Sequence, residues 1–158
     1  MPLRPARPED LDTIIELIRA LAEYEREPGA VKLDRATLSE HLFGTHRYAE
    51  VILAETAAGQ SAGFALFFHN FSTWEGRPGI YLEDLLVRPE FRGHGYGKAL
   101  LQELARIALE RGCARLEWSV LDWNEPAIRF YRRIGAQAMN GWTVYRLAGD
   151  ALTRLAAT

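Results

Sequence analysis

The chain has 158 residues, a length that predicts one domain covering residues 1–158. Its formal net charge is −2, from 19 basic and 21 acidic residues. Proteins that bind nucleic acids or membrane surfaces usually carry an excess of basic residues, and this chain has none. We therefore expect neither a nucleic-acid nor a membrane partner.

The cysteine content and the N-terminal segment restrict the chemistry and the compartment further. Cys113 is the only cysteine, so no intramolecular disulfide can form, and no Cys/His group has zinc-ligand spacing. Residues 1–5 carry no apolar run of the signal-peptide kind, and no stretch approaches the ~18 apolar residues of a membrane span. We expect a cytoplasmic protein without a metal, in which Cys113 packs in the core; an acyl-cysteine intermediate is the alternative.

The first half of the chain predicts a short strand, two helices and a hairpin. Residues 3–6 favour the strand and residues 35–43 the second helix. The first helix is indicated by apolar residues at helical spacing, namely Leu11, Ile14, Ile15, Ile18, Leu21 and Ala22. Residues 48–55 and 61–69 predict two strands joined by a turn at 58–60, and residues 70–79 predict a loop.

The second half alternates strands with helices. Residues 80–87 predict a strand, which a glycine-rich stretch joins to a helix that ends at Gly112. Residues 115–120 predict a strand, 124–134 a helix and 143–148 a last strand. Helices interleaved with a hairpin predict a mixed α/β (α+β) sheet, and the antiparallel run excludes a purely parallel doubly wound fold.

The glycine-rich stretch between strand and helix is typical of phosphate binding. It consists of Arg92, Gly93, His94, Gly95, Tyr96, Gly97 and Lys98. Glycines let backbone N–H groups approach a pyrophosphate, and the following helix dipole and Arg92 favour the negative charge. A dinucleotide fingerprint fails because Lys98 stands where its last glycine is needed, and a P-loop fails because Ala99 follows Lys98. A glycine-rich turn without a ligand is the remaining alternative.

The pattern Arg92-x-x-Gly95-x-Gly97 resembles the phosphate-binding signature of the GNAT N-acetyltransferase family. Residues 82–87 look like that family's central strand, and residues 124–131 look like its second cofactor motif. More narrowly, residues 21–25, 81–84 and 123–126, with Gly141 and Trp142, resemble the diamine (spermidine/spermine and thialysine) acetyltransferase subgroup. The similarity extends over nearly the whole chain.

The resemblance implies a fold and a reaction. The sheet is expected to be mostly antiparallel, flanked by helices and splayed between residues 80–87 and 115–120, where the pantetheine arm of acetyl-CoA lies. Besides the glycine-rich residues, the implied acetyl-CoA contacts are Leu85, Leu86, Val87, Asn124 and Tyr131. Acetyl passes directly to a primary amine of a small molecule in a ternary complex. Subgroup membership also implies a homodimer.

The same resemblance assigns the proton transfers. Glu83 removes a proton from the amine, directly or through water, and Tyr131 protonates the departing thiolate, since a tyrosine with a pKa near ~10 keeps its proton at neutral pH. Strand alternation predicts that Glu83 and Asp84 point to opposite faces of the sheet. Periodicity alone also allows Tyr131 as a core residue and Asn124 as a helix cap.

The acceptor amine is cationic, so its pocket should offer carboxylates and aromatic faces. The residues that match the subgroup in kind and place are Glu25, Trp74, Glu83, Asp84 and Trp142. Ser72 stands where the polyamine enzymes carry an acid, which leaves room for short diamines or thialysine-like amino acids. An acetyl-CoA-binding sensor and a protein or peptide acetyltransferase are the alternatives.

Overall fold

The computed structural model describes residues 2–157. Its contacts divide the chain into two compact units, the first ending at Ser119 and the second beginning at Val120. The single domain expected from the length stays a prediction. Among residues 2–157 no helix has the length and apolar character needed to cross a membrane.

The first unit is built on a five-stranded sheet whose strands lie in chain order. The strands are β1 (Leu3–Pro5), β2 (Glu50–Glu55), β3 (Ser61–Ser72), β4 (Arg77–Val87) and β5 (Leu116–Trp118). The first four pair antiparallel and β5 joins β4 in parallel, which confirms the mixed, mostly antiparallel sheet.

The loop predicted at residues 70–79 is mostly wrong. The β3–β4 ladder continues to the pair Ser72↔Arg77, leaving only a tight turn at its tip. Gly76 in that turn has a φ of 64°, a left-handed conformation that glycine adopts without a Cβ penalty. The glycines and proline taken as loop signals are tolerated because cross-strand pairing outweighs their weak strand propensity.

Helices cover both faces of this sheet. α1 (Leu11–Tyr24) and α2 (Arg35–Phe43) pack on one face, where Phe64, Leu66 and Leu86 from the strands meet Ile14 and Leu17. The alternate strand residues, such as Ala65 and Phe67, are buried on the other face. α3 (Tyr96–Glu110) packs against β3 and β4 through an apolar face, in which Leu100, Leu101, Leu104 and Ala108 are buried.

The sheet opens beside the second half of β4. β4 and β5 pair at Ile80↔Leu116, Tyr81↔Glu117 and Leu82↔Trp118, and the pairing then stops. β4 runs on to Val87 against β3, while β5 ends at Trp118. Among residues 2–157, no strand therefore pairs with the backbone edge of residues 83–87 on the β5 side, which confirms the expected splay in the middle of the sheet.

The second unit contains α4 (Glu125–Arg133) and α5 (Gly149–Ala157). The helix predicted at 124–134 is present, but the strand predicted at 143–148 is wrong, since these residues form no strand. Their β-favouring residues, Val144 and Tyr145 among them, suit a strand, yet a strand exists only where a neighbour accepts its backbone hydrogen bonds. α5 was not predicted, although Asp150 in its first turn is a typical helix-start residue.

Candidate active site

A β-bulge in β4 positions the two acids of the predicted site. The register with β3 changes from Leu66↔Asp84 to Phe67↔Leu82, so Glu83 is an extra residue with no partner. Asp84 therefore shares the face of Leu66, the α1 face. Glu83 follows Leu82, which lies with Phe67 on the α3 face, so Glu83 also points to the α1 face. The prediction of opposite faces is wrong because the bulge interrupts the alternation.

Glu25 approaches these acids from the end of α1. Arg26 follows it in the left-handed region with a φ of 63°, which is uncommon for a residue with a side chain. The Arg26 N–H donates to the Glu23 carbonyl over 3.0 Å, and the Glu27 N–H donates to the Ala22 carbonyl over 2.8 Å. This is the hydrogen-bond pattern of a Schellman motif, and it fixes Glu25 as the last residue of the helix end.

Glu25, Glu83 and Asp84 form a cluster of like charges, here called the acid cluster. Burial, followed by the charges of Glu83 and Glu25, raises the pKa of Asp84 to about 6. Burial, followed by the charge of Glu83, also raises the pKa of Glu25. Among residues 2–157, none of the three forms an ion pair with a basic side chain. The cluster can therefore attract a cationic ligand, and Asp84 can gain or lose a proton near neutral pH.

The glycine-rich stretch forms an exposed turn leading into α3. Gly93 and Gly95 have φ values of 81° and 88°, so both use the left-handed region that favours glycine. Gly95 is the N-cap of α3, and no side chain caps the N–H groups of the first turn. A Cβ at Gly93 would meet nothing within 4 Å, so a ligand can approach this backbone closely. The turn therefore fits an anionic phosphate group.

Arg92 ties this turn to its surroundings. Its Nε donates to the Val87 carbonyl over 2.9 Å, and its guanidinium lies 5.1 Å from the centre of the Tyr24 ring. The turn is thus held against both the end of β4 and the end of α1. Sequence reasoning missed Tyr24, because nothing local in the sequence signals a contact between residues this far apart.

The remaining predicted residues of the turn differ in exposure. His94 and Lys98 are exposed, while Tyr96 is half-buried with its ring 6.3 Å from that of Phe91. A Cβ at Gly97 would lie 3.8 Å from Val87 Cγ2, an ordinary contact, so this glycine is not required by space.

The three β4 residues predicted to contact acetyl-CoA do not all face the open edge. The Arg88 N–H donates to the Ala62 carbonyl on β3 over 2.8 Å. Since backbone groups of successive residues in a strand point to opposite sides, Leu86 also pairs with β3, whereas Leu85 and Val87 direct theirs to the open side. The Leu86 side chain is buried in the α1 core. Leu85 and the Val87 N–H can pair with an extended ligand, whereas the Val87 carbonyl already accepts from Arg92 Nε.

Trp74 lies apart from this geometry at the tip of the β3–β4 hairpin, with 83% of its surface exposed. In the second unit, Asn124 occupies the N-cap of α4, but its side chain makes no capping bond; its carbonyl accepts from the Ile128 N–H over 3.0 Å. Tyr131 is half-buried on the same helix, its ring 5.8 Å from that of Phe130, and Trp142 is exposed beyond the helix.

The described residues offer no metal centre. Within 2–157 no group of three or more His, Cys, Asp or Glu side chains is arranged to hold an ion. Cys113 is buried, as a packing residue would be.

Comparison with known proteins gives the family. The profile described as the "Acetyltransferase (GNAT) family" matches residues 12–136. The thialysine N-epsilon-acetyltransferase of Bos taurus is 38% identical over 164 residues, covering 98% of this chain and 96% of that protein. The L-ornithine N5-acetyltransferase NATA1 of Arabidopsis thaliana is 46% identical over 91 residues, covering 58% of this chain and 40% of that protein.

Among solved structures, an integron cassette protein from the mobile metagenome of V. cholerae superposes with a TM-score of 0.81 at 28% sequence identity. The alignment covers 99% of this chain and 98% of that one. Together with the splayed sheet and the glycine turn before α3, these matches show that the chain is an acetyltransferase belonging to the GNAT family.

Proposed function

We propose that the protein transfers the acetyl group of acetyl-CoA to a primary amine of a small cationic acceptor by direct attack in a ternary complex. The acceptor class is a diamine, a polyamine or a thialysine-like amino acid. The acid cluster is the observation that carries this proposal. Its three carboxylates repel one another and have no basic ion-pair partner among the described residues, so a bound cation would offset their repulsion.

The geometry of β4 supports the acetyl-CoA half of the reaction. Its open edge presents backbone groups of Leu85 and Val87, and the glycine turn follows at the end of the same strand. Leu85 and Val87 would pair with the extended arm, and the first-turn N–H groups of α3 would hold the pyrophosphate. An N–H group near the thioester oxygen would stabilise its developing negative charge.

The acid cluster supports the acceptor half. Attack on the thioester carbon needs the amine lone pair, so the bound ammonium must first lose a proton. Glu83 is our candidate for removing it, directly or through water, while Asp84 and Glu25 hold the cation. The new C–N bond forms as the C–S bond breaks, and the attacking nitrogen releases its second proton to solvent as it becomes an amide. The thiolate that leaves takes up a proton. Tyr131 is our candidate for that donor, and Asn124, Trp74 and Trp142 are retained as candidate ligand contacts.

The relatives support this acceptor class. Thialysine and ornithine, named for the bovine and Arabidopsis proteins, are both amino acids with a second amine on the side chain. No observation favours a sensor or a peptide acetyltransferase.

The decisive experiment is turnover with an acceptor panel. The purified protein is incubated with acetyl-CoA and spermidine, putrescine, thialysine, lysine, an aminoglycoside or a lysine-bearing peptide, and free CoA thiol is measured. We expect turnover with at least one of the diamine-type acceptors and none with the peptide. If no small amine gave release of CoA thiol, although acetyl-CoA still shifted the thermal unfolding temperature, the acceptor assignment would be contradicted.

Tyr131→Phe tests the proton donor. Removing the hydroxyl should lower kcat about 100-fold, a typical contribution of general acid catalysis, while the Kd for acetyl-CoA stays within about twofold. Phe130→Tyr is the matched control because it changes one hydroxyl on the neighbouring ring. If Tyr131→Phe kept full activity, Tyr131 would not be the acid.

We further propose that the enzyme acts in the cytoplasm as a homodimer. A single buried cysteine suits a reducing compartment, where disulfides are rare, and the subgroup resemblance supports the dimer. Light scattering coupled to gel filtration tests the mass, with a monomer mass contradicting the dimer.

A further inference from the structure

We propose that Glu117 on β5 binds the second, unreacted ammonium group of the acceptor and so selects amines that carry two positive charges. The inference rests on the proposed function, since it extends the acceptor site away from the acid cluster. It concerns only the first unit, whose strands bring the residues together.

Glu117 lies on the same face of the sheet as the acid cluster. Tyr81 pairs with Phe68 on β3 and with Glu117 on β5, and residues paired across a sheet share a face. Phe68 is two residues from Leu66, which packs in the α1 core, so this is the α1 face. The bulge keeps Glu83 and Asp84 on that face as well, and one surface therefore runs from Asp84 to Glu117.

The separation suits a short diamine. Glu83 is two residues along β4 from Tyr81, and Glu117 lies one strand spacing from Tyr81. With ~3.3 Å per residue and ~4.8 Å between strands, the Cα atoms of Glu83 and Glu117 are about 8 Å apart. An extended acceptor with one amine at Glu83 can thus bring a second amine to the Glu117 carboxylate.

Aromatic rings line the surface between the two ends. The rings of Phe68 and Tyr81 lie 5.3 Å apart in a tilted arrangement. The Tyr81 hydroxyl and Ser119 Oγ are 2.7 Å apart, a hydrogen bond that fixes the ring. Such a surface can pack against the methylene groups of an acceptor and attract a nearby cation through the ring faces.

The Glu117 carboxylate is held in place from β3. Asn70 Nδ2 donates to Glu117 Oε1 over 3.3 Å, reaching across β4 at Gly79. A Cβ at Gly79 would lie only 2.5 Å from Asn70 Oδ1 and 3.3 Å from the Arg115 carbonyl. The absence of a side chain at Gly79 is therefore what allows this crossing.

No cation of the described chain neutralises Glu117. Arg115 lies two residues before Glu117, just ahead of β5, and its guanidinium lies 3.8 Å from the Glu75 carboxylate in the hairpin turn instead. Among residues 2–157, the hydrogen bond from Asn70 is the one polar contact of the Glu117 side chain, which leaves the second carboxylate oxygen available to an ammonium group.

Glu117→Gln tests the proposal by comparing putrescine with butylamine, which has the same chain and one amine fewer. The variant should raise the KM for putrescine about three- to tenfold, the size expected for a partly exposed ion pair, with kcat and the butylamine kinetics within about twofold. Asp12→Asn, on the exposed surface of α1, is the control for loss of one negative charge. Glu117→Asp should restore part of the preference.

A binding measurement keeps the outcome independent of turnover. Calorimetric titration of putrescine should give a three- to tenfold weaker Kd for Glu117→Gln than for the wild type. Equal loss for both amines, or unchanged putrescine affinity and KM, overturns the role of Glu117 even if the enzyme is fully active. A wild type that binds putrescine through Glu117 but acetylates no amine would instead contradict the proposed function alone.

Discussion

Two carboxylates on the same sheet have opposite surroundings. Glu50, at the start of β2, accepts hydrogen bonds from both terminal nitrogens of Arg111, over 2.7 and 2.9 Å. These hydrogen bonds lower the pKa of Glu50 below its ordinary value. Asp84, in β4, is largely buried beside Glu83 and Glu25 and has no ion-pair partner among residues 2–157, and burial followed by these two charges raises its pKa to about 6. One carboxylate is stabilised by its neighbours and the other is destabilised by them.

This difference in pairing distinguishes a structural ion pair from a candidate ligand-binding site. Arg4 repeats the first arrangement, because its guanidinium contacts Asp10 and Glu55 and ties β1 to β2 and to the start of α1. A carboxylate that is already paired with a basic side chain of the same protein has little remaining charge to attract a ligand. The acid cluster remains incomplete within the described chain, and incomplete charges of this kind are a recurring property of catalytic and binding sites.

Glu83→Gln should have the largest effect. If Glu83 removes the amine proton, the neutral amide lowers kcat/KM for the best diamine about 100-fold, and most at low pH, where more of the amine is protonated. The pH–rate profile of the variant, compared with Asp12→Asn, checks this. A profile identical to that of the wild type would remove Glu83 from the proton transfer.

Asp84→Asn should stabilise the protein at high pH. Since the pKa rises from 3.8 in the unfolded chain to about 6 in the folded protein, the folded state holds an extra proton between these values, and the free energy of unfolding falls as pH rises through them. The asparagine of the variant does not titrate, so its free energy of unfolding does not fall in this way. We expect it to be about 1–3 kcal/mol more stable than the wild type at pH 8, with no such gain below pH ~3.8.

Urea denaturation at the two pH values measures the difference. The same substitution should weaken binding of a diamine, so stability and function should move in opposite directions. Equal unfolding free energies of the variant and the wild type at pH 8 would mean that ionised Asp84 does not destabilise the folded protein.

Arg111→Met should have the smallest effect and the opposite sign. Loss of the partly exposed pair should lower the free energy of unfolding at pH 7 by about 0.5–1 kcal/mol. Because the pKa of Glu50 is lowered in the folded protein, this contribution is present above the unfolded pKa and disappears as pH falls through the folded one. kcat and KM should stay unchanged, and a changed KM for the amine would contradict a purely structural role.

Local patterns predicted most elements of the first unit. The spacing of apolar residues predicted α1, and the glycines before Tyr96 predicted the turn at the start of α3, because these features depend on neighbours a few residues away. The strand predicted at 143–148 is wrong for the opposite reason, since strand-favouring residues cannot supply the partner that a strand requires.

The amino-acid sequence by itself determined the chemistry available to this protein: carboxylates at positions 25, 83 and 84, a glycine turn before a helix, and one cysteine. Tertiary structure alone decided which of these groups act together. The bulge at Glu83 turns two neighbouring acids to one face, the Schellman end of α1 brings Glu25 to them, and Arg111 neutralises Glu50 and not Asp84. Such charge interactions depend on distances across the fold, and no local pattern of residues contains them.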